Sequence, residues 1–397
     1  MKKLSLFFYF LLSFFVFSLS SCIPDSESVT HSAVTPKIPT IESITLTFAG
    51  DIMAHDTNFK MKDYSKIYED LADILKSDDL SFGNIEMPVC DSLPMSNYPR
   101  FNVHSPYVEA AINGGFDVLG FANNHTNDQG VVGIDGTLKA IEKFETIYNA
   151  EEKKVWFSGL KTNADEQIEP ITIEKNGFKI GFLSVTEILN SYDSSKQRLA
   201  YSEPTKQGRE KLLNCISEYK KNTDVDLFVL MLHLNEAEYG RKVEYSKKVW
   251  FKQLEKAGVD IICASHPHVM QMWEASPVLD NEEPTDDTLK AFYLYSMGNF
   301  ISAQRVVPNY TNPTHYREYT GDAVLLQLTY TKIDGELSPR YSIGTFPITV
   351  YNGKDGLVMK QLTDDWIKSL TSERERTYYT KRLELLKEYL PIHESAP

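Results

Sequence analysis

Along the chain, short apolar runs stop abruptly at residues able to do chemistry. The run 116–122 ends at Asn123-Asn124-His125. The same pattern returns where 44–50 runs into Asp51, where 79–84 runs into Glu86, where 226–232 runs into His233, and where 258–265 runs into His266-Pro267-His268. A brief apolar run bounded by turn residues reads as a strand buried on both faces of its sheet. In open α/β sheets, ligand chemistry gathers where such strands end. These runs therefore predict one site assembled from distant parts of the chain.

Between the runs the spacing predicts helices. Over 63–77, Ile67, Leu71, Ile74 and Leu75 share one helical face. Ser105-Pro106 starts a helix over 106–114 that Gly114-Gly115 stops. Val132, Ile134, Leu138, Ile141 and Phe144 predict a helix over 132–147. Further helices are expected over 204–221, beginning at Glu203-Pro204, and over 243–257, ending at Gly258. Residues 155–158, 168–175 and 178–185 read as strands, the last two joined by an Asn176-Gly177 turn. An apolar run over 290–297 follows, then alternation over 322–360 as in antiparallel strands, then a charged, helical stretch over 363–389. Helices interleaved with strands early, and a β-rich C-terminal portion, predict an α/β fold. Its expected form is a four-layer α-β-β-α sandwich with the site at one edge.

The first residues change the picture. Lys2 and Lys3 precede an apolar stretch over 4–19 and then Ser20-Ser21-Cys22. That order reads as a secretory signal peptide, and the stretch is short of the roughly 20 residues a membrane-spanning helix needs. Leu19-Ser20-Ser21-Cys22 resembles the bacterial lipobox, which implies acyl chains on Cys22 and anchorage without spanning. Residues 1–21 are thus expected to be a lipoprotein signal, and 22–42, rich in Ser, Thr and Pro, a flexible tether. Residues 43–303 are expected to form the main domain, which strands and helix over 304–397 complete.

Lys and Arg number 41 against 55 Asp and Glu, and two of those lysines fall in the leader. An acidic chain argues against a nucleic-acid partner, whose phosphates need a basic face. Cys90, Cys215 and Cys263 have no zinc or disulfide spacing. Cys263 reads as a small buried hydrophobe, and one disulfide among the three stays open.

Asp51, Glu86, Asn124, His233, His266 and His268 are residue types that hold divalent metal ions. Imidazoles suit Mn, Zn or Fe and not Ca²⁺. Two such ions held close together clamp a phosphoryl group and activate water near neutral pH. Pro267 stiffens the turn between His266 and His268, which can then face different ions. Singly, each residue has a blander reading. Asp51 could cap a turn, Asn123 and Asn124 could form one, Glu86 could be solvated, and a strand-end histidine could be structural. Their joint placement carries the prediction. His31, His104, His315 and His393 lie in loops or tails and are assigned no role.

The motifs GDIM at 50–53, GNIE at 83–86, ANNH at 122–125, SHPHV at 265–269 and YSMGNF at 295–300 resemble those of the capsule-synthesis protein A family (CapA/PgsA). That family is similar to the calcineurin-like metallophosphoesterases. The resemblance covers residues 44–303. It implies that Asp51 and His268 bind a first metal, that Glu86 bridges, and that Asn124, His233 and His266 bind a second. It implies that His125 contacts the phosphate or protonates the leaving group, with Asn123 and Asn299 lining the site. Two departures stand out. Met53 occupies the place of a usual histidine, and a thioether is a poor partner for such ions; His55 is nearby. After His233 the family has Trp-Gly and then Glu-Tyr, where this chain has Leu234-Asn235 and Glu238-Tyr239 one residue late.

The resemblance implies a lipid-anchored protein on the extracytoplasmic face of the cell envelope. It links the chain to capsule and poly-γ-glutamate synthesis or export, with one or two divalent metals at a phosphoesterase-like hydrolase site. A non-catalytic accessory subunit is the second expectation, one that binds an anionic surface polymer or membrane synthase and export partners. Met53 favours the accessory role, while the acidic excess counts against direct binding of a polyanion.

Overall fold

The computed structural model describes residues 38–150, 153–275 and 291–387. The predicted leader, Cys22, most of the tether, His31 and His393 lie outside those residues. The chain divides into two units, Met1–Pro39 and Thr40–Pro397, and the second carries the fold.

Strands β1 (Ile41–Ile52), β2 (Leu80–Ile85), β3 (Val118–Gly120) and β4 (Trp156–Ser158) lie side by side and parallel. Parallel neighbours need crossover connections; helices Ser105–Gly114 and Gly130–Ala150 supply two of them. A hairpin of β5 (Ile171–Lys175) and β6 (Phe178–Thr186) opens a second sheet. Its turn holds Asn176 at φ 49° and Gly177 at φ 79°, the paired positive φ of a tight primed turn. Next come β7 (Leu227–His233) and β8 (Ile261–Ser265), parallel to β6 and reached through helices Lys206–Asn222 and Tyr245–Lys256. Thr205 caps the first of these helices by accepting from the Gly208 amide.

β9 (Trp273–Ala275) and β10 (Phe292–Leu294) complete the second sheet. The run expected over 290–297 is broken. It leaves the second sheet after Leu294, turns at Gly298 with φ 65°, and enters the first sheet as β11 (Asn299–Ile301) beside β1. Finally β12 (Asp322–Ile333), β13 (Glu336–Gly353) and β14 (Gly356–Gln361) extend the first sheet antiparallel from β1.

Period-two alternation sorts side chains between cores. In β7, Leu227, Val229 and Met231 face the first sheet, where Phe48, Phe82 and Leu326 meet them. Phe228, Leu230 and Leu232 face instead Leu212, Ile216, Trp250 and Phe251 on the two helices. Phe82 stacks on Phe48 at 4.9 Å and meets Phe182 of the other sheet edge-on at 5.6 Å. The outer face of the first sheet packs on Tyr107, Phe144 and Tyr379 from three helices. The layers are helix, sheet, sheet, helix, an α/β sandwich. Each fully buried Phe or Leu in it contributes about 1.5–3 kcal/mol.

The stretch 63–77 is not one helix. It forms 3-10 turns Tyr64–Ile67 and Glu69–Leu71 and a single α turn Ala72–Leu75. Tyr68 sits at the junction with φ −104°, its ring stacked on Phe300 at 5.7 Å and edge-on to Phe116 at 6.2 Å. Seating that ring interrupts the helix, yet Ile67, Leu71 and Leu75 are still buried. Among the described residues no helix is long and apolar enough to cross a membrane.

Candidate metal centre

Parallel strands end on one edge, so register sets which side chains meet there. Asp51 of β1 lies opposite Asn84 of β2 and Asn299 of β11, and His233 of β7 lies opposite Ser265 of β8. β11 approaches β1 so closely that the Asp51 amide donates to Gly298 O at 3.0 Å. A Cβ at Gly50 would stand 1.9 Å from that same oxygen, so only glycine fits. Beyond β8, His266 and His268 have φ of 104° and 58°, and Tyr239 opposite them has φ 65°. Left-handed backbone at non-glycine residues costs about 1–3 kcal/mol each and collects at functional sites.

The side chains form two halves around one carboxylate. On one side, Asp51 Oδ2 is 3.3 Å from His268 Nδ1, which is also 3.0 Å from Asn299 Oδ1. Asn84 donates to Asp51 Oδ1 at 2.8 Å, and Asn123 braces Asn84 at 3.2 Å. On the other side, His233 Nε2 is 2.7 Å from Asn124 Oδ1 and 3.2 Å from His266 Nδ1, while Ser265 Oγ holds His233 Nδ1 at 2.8 Å. Glu86 stands between: its Oε1 is 3.7 Å from His233 Nε2 and 3.7 Å from His268 Nε2. Ligand atoms of Asp51, Glu86 and His233 lie within 4.8 Å of one another, a buried group that could hold a metal ion.

The electrostatics fit a cation. Both oxygens of Glu86 and Oδ2 of Asp51 are buried without a hydrogen-bond partner, and buried carboxylates normally have partners. Burial lifts the Glu86 carboxyl well above its usual range, and the neighbouring Asp51 charge adds to the lift. For Asp51, burial is the largest influence and pushes upward, but His268, His233 and the Asn84 hydrogen bond together hold the group down at about 2. Burial, with His268 beside it, lowers His266 to about 4, and burial with His266 lowers His233 well below the usual imidazole range. Imidazoles held neutral and buried carboxylates without partners are the ligands a metal ion would take.

His125 lies beside this group. Its Nδ1 is 2.7 Å from Asp128 Oδ2, and Asn190 Nδ2 is 3.1 Å and 3.4 Å from its two ring nitrogens. Phe101 meets the ring edge-on at 4.7 Å. His125 and Asn124 open onto a cleft of about 570 Å³ that Tyr98, Arg100, Asp128, Asn190 and Glu238 also line.

The structure thus brings together Asp51, Glu86, Asn124, His125, His233, His266 and His268, with Asn123 and Asn299 behind them. Asp128, Asn190, Asn84 and Ser265 were not anticipated. Asp128 had a signal, three residues after His125 within one turn; Asn190 had none, because it arrives on a loop after β6. Met53 is 2% exposed and belongs to the apolar core outside the first sheet, so no histidine-like ligand stands there. His55 is engaged elsewhere: its Nδ1 accepts from the Ala303 amide at 3.2 Å, and its ring lies edge-on to Phe101 at 5.1 Å. Glu238 reaches the cleft wall, and the Tyr239 ring lies 6.5 Å from that of His268. Cys90, Cys215 and Cys263 are all free thiols.

Comparison with known proteins places this arrangement. A capsule biosynthesis protein CapA of Bacillus anthracis is 28% identical over 276 residues, 66% of this chain and 61% of that protein. A PGA biosynthesis protein CapA of Bacillus subtilis (strain 168) is 26% identical over 284 residues, 68% of this chain and 67% of that protein. The match therefore spans about three-fifths of the length of the B. anthracis relative. A crystal structure of a hypothetical protein from Thermus thermophilus is similar at a TM-score of 0.42 and 14% identity, over 77% of this chain and 99% of that one. The family model for the bacterial capsule synthesis protein PGA_cap matches residues 45–304, a stretch containing every strand end just described. The chain belongs to that family, the metallophosphoesterase-like CapA proteins.

Proposed function

We propose that this is a cell-envelope protein of capsule synthesis whose strand-end site binds one or two divalent metals and cleaves or transfers a phosphate ester. Glu86 carries the reading: a fully buried carboxylate with no hydrogen-bond partner, facing an imidazole nitrogen on either side at 3.7 Å. Asp51 and His268 would hold a metal on one side, and Asn124, His233 and His266 on the other, with Glu86 shared between them. Bound divalent ions supply Lewis acidity and activated water. Histidine nitrogens with carboxylate and amide oxygens suit Mn, Zn or Fe.

The chain's own residues do the rest. Asp128 Oδ2 stands 2.7 Å from Nδ1 of His125, which fixes the orientation of the ring. His125 lines the cleft, and there it would act as the general acid that gives a proton to a leaving oxygen. Asn190 supports the same ring from the opposite loop. The names of the two Bacillus relatives support a place in capsule and poly-γ-glutamate synthesis. In this reading Cys22 carries the lipid anchor and residues 22–42 tether the domain outside the membrane.

A second reading is an accessory subunit that binds surface polymer or synthase and export partners without turnover. It is favoured by the buried Met53, which leaves one side of the centre a ligand short. Metal content of protein lacking residues 1–22, beside the His266→Ala/His268→Ala variant, decides between them. Turnover of bis(4-nitrophenyl) phosphate and 4-nitrophenyl phosphate is assayed with Mn²⁺ and Zn²⁺. About two metals per chain, with turnover lost in the variant, supports the enzyme. About one metal without turnover supports the accessory subunit, and no metal in either protein sinks the metal reading.

A further inference from the structure

The family match ends at residue 304, yet the next stretch returns to the mouth of the site. Its path is held rigidly from beneath. Arg305, fully buried, donates from Nη1 to Glu318 O at 3.1 Å and from Nη2 to Gly321 O at 2.9 Å, and it pairs with Asp322 at 2.7 Å. Arg382 donates to Pro313 O at 2.6 Å from the C-terminal helix. The 3-10 turn Tyr316–Gly321 is joined to the centre itself, because Asn299 Nδ2 donates to Thr320 O at 2.9 Å while Asn299 Oδ1 touches His268.

Arg317 stands on this turn. Its guanidinium lies 4.4 Å from the centroid of the Tyr239 ring, and that ring neighbours His268 at 6.5 Å. The Tyr239 amide donates to Pro267 O at 2.8 Å, between the two metal-site histidines, and the residue keeps the left-handed φ of 65°. Arg317 also depresses the charge of His55, as His268 and His125 do, so it bears on the same opening. Among the described residues Arg317 makes no salt bridge. An arginine seated over an aromatic ring, without a carboxylate in a salt bridge, presents its fork to an oxyanion.

We propose that Arg317, seated on Tyr239, is a specificity-determining residue that grips a second oxyanion of the substrate, a carboxylate or phosphate separate from the phosphoryl group at the centre. This rests on the phosphate-ester reading of the site and adds a substrate class to it: esters whose flanking group is itself anionic. Tyr239 lies within the matched stretch 45–304, whereas Arg317 comes from beyond it, so the guanidinium is supplied by this chain's C-terminal portion.

Calorimetric binding to the Mn²⁺-loaded protein lacking residues 1–22 tests it, since binding needs no turnover. The probes are propylphosphonate, 2-carboxyethylphosphonate and ethylenediphosphonate. Wild type should favour at least one of the two probes with a second anionic group over propylphosphonate by about tenfold or more, and which one is favoured identifies the second group as carboxylate or phosphate. Arg317→Ala should erase that preference and leave propylphosphonate affinity within about twofold. Arg317→Lys, which keeps the charge and loses the fork, should retain part of it, and it serves if the alanine variant folds poorly. Equal affinity of wild type for all three probes overturns the Arg317 assignment alone. So does an equal loss for all probes in Arg317→Ala. If wild type binds no phosphonate at all, the phosphate-ester reading falls and takes this proposal with it.

Discussion

Replacing Glu86 by methionine should stabilise the metal-free protein and destabilise the metal-loaded one. Both carboxylate oxygens are buried without partners, and the side chain is 0% exposed. A buried polar group left unsatisfied costs about 1–3 kcal/mol, and methionine fills a similar volume without polar atoms. In chelator, Glu86→Met should therefore gain about 1–3 kcal/mol over wild type. A ligand at a thousandfold excess over its dissociation constant stabilises the folded state by about 4.1 kcal/mol. In Mn²⁺ the wild type should gain about that much and the variant far less, so the order of stability inverts. Urea unfolding followed by tryptophan fluorescence, with EDTA or with Mn²⁺, reads both arms; the free energy falls linearly with denaturant. A variant weaker than wild type by the same amount in both arms would show that Glu86 supports the fold and not a metal. That result would refute the reasoning.

Other outcomes follow from the same geometry. Asp128→Asn removes the acceptor that orients His125, so kcat should fall by about 10²-fold or more with metal content unchanged; loss of metal instead would place Asp128 in metal binding. Gly50→Ala sets a Cβ 1.9 Å from Gly298 O and should cost about 1–3 kcal/mol together with metal affinity, read by unfolding and metal titration; a neutral result would contradict the close approach of β11. Asp78, partly exposed, is lifted from 3.8 to about 7, chiefly by burial, with the Asp117 and Asp79 charges adding to it. A group whose folded value is raised contributes stability that is complete below its unfolded value and is lost as pH rises through the folded one. Stability should thus decline between 3.8 and about 7, and Asp78→Asn should remove about 1–2 kcal/mol of that decline after allowing for solvent screening. Identical pH profiles for the two proteins would count against it. Phe82→Ala, which opens the core between the stacked Phe48 and the opposing Phe182, should cost about 3–5 kcal/mol and leave metal affinity intact; a cost below about 1 kcal/mol would mean the sheets close over the gap.

What the sequence determined by itself was local. Leu227, Val229 and Met231 alternate with Phe228, Leu230 and Leu232, and that alternation already says the strand is buried on both faces. Pro106 and the pair Asn176-Gly177 mark a helix start and a turn because those depend on residues within a few positions. The strand-end placement of Asp51, Glu86, Asn124, His233, His266 and His268 was legible for the same reason. Tertiary structure decided the rest. The stretch 63–77 has helical spacing, but the Tyr68 ring is captured by Phe116 and Phe300 from elsewhere in the chain and breaks the helix. The apolar run over 290–297 gives no hint that Gly298 will carry it from one sheet to the other. Asn190 and Arg317 meet the site from segments 65 residues beyond His125 and 49 beyond His268, where nothing nearby in sequence marks them. Strand order and register decide which ends meet, and these are set by burial between residues far apart in the chain, a term that no local pattern contains.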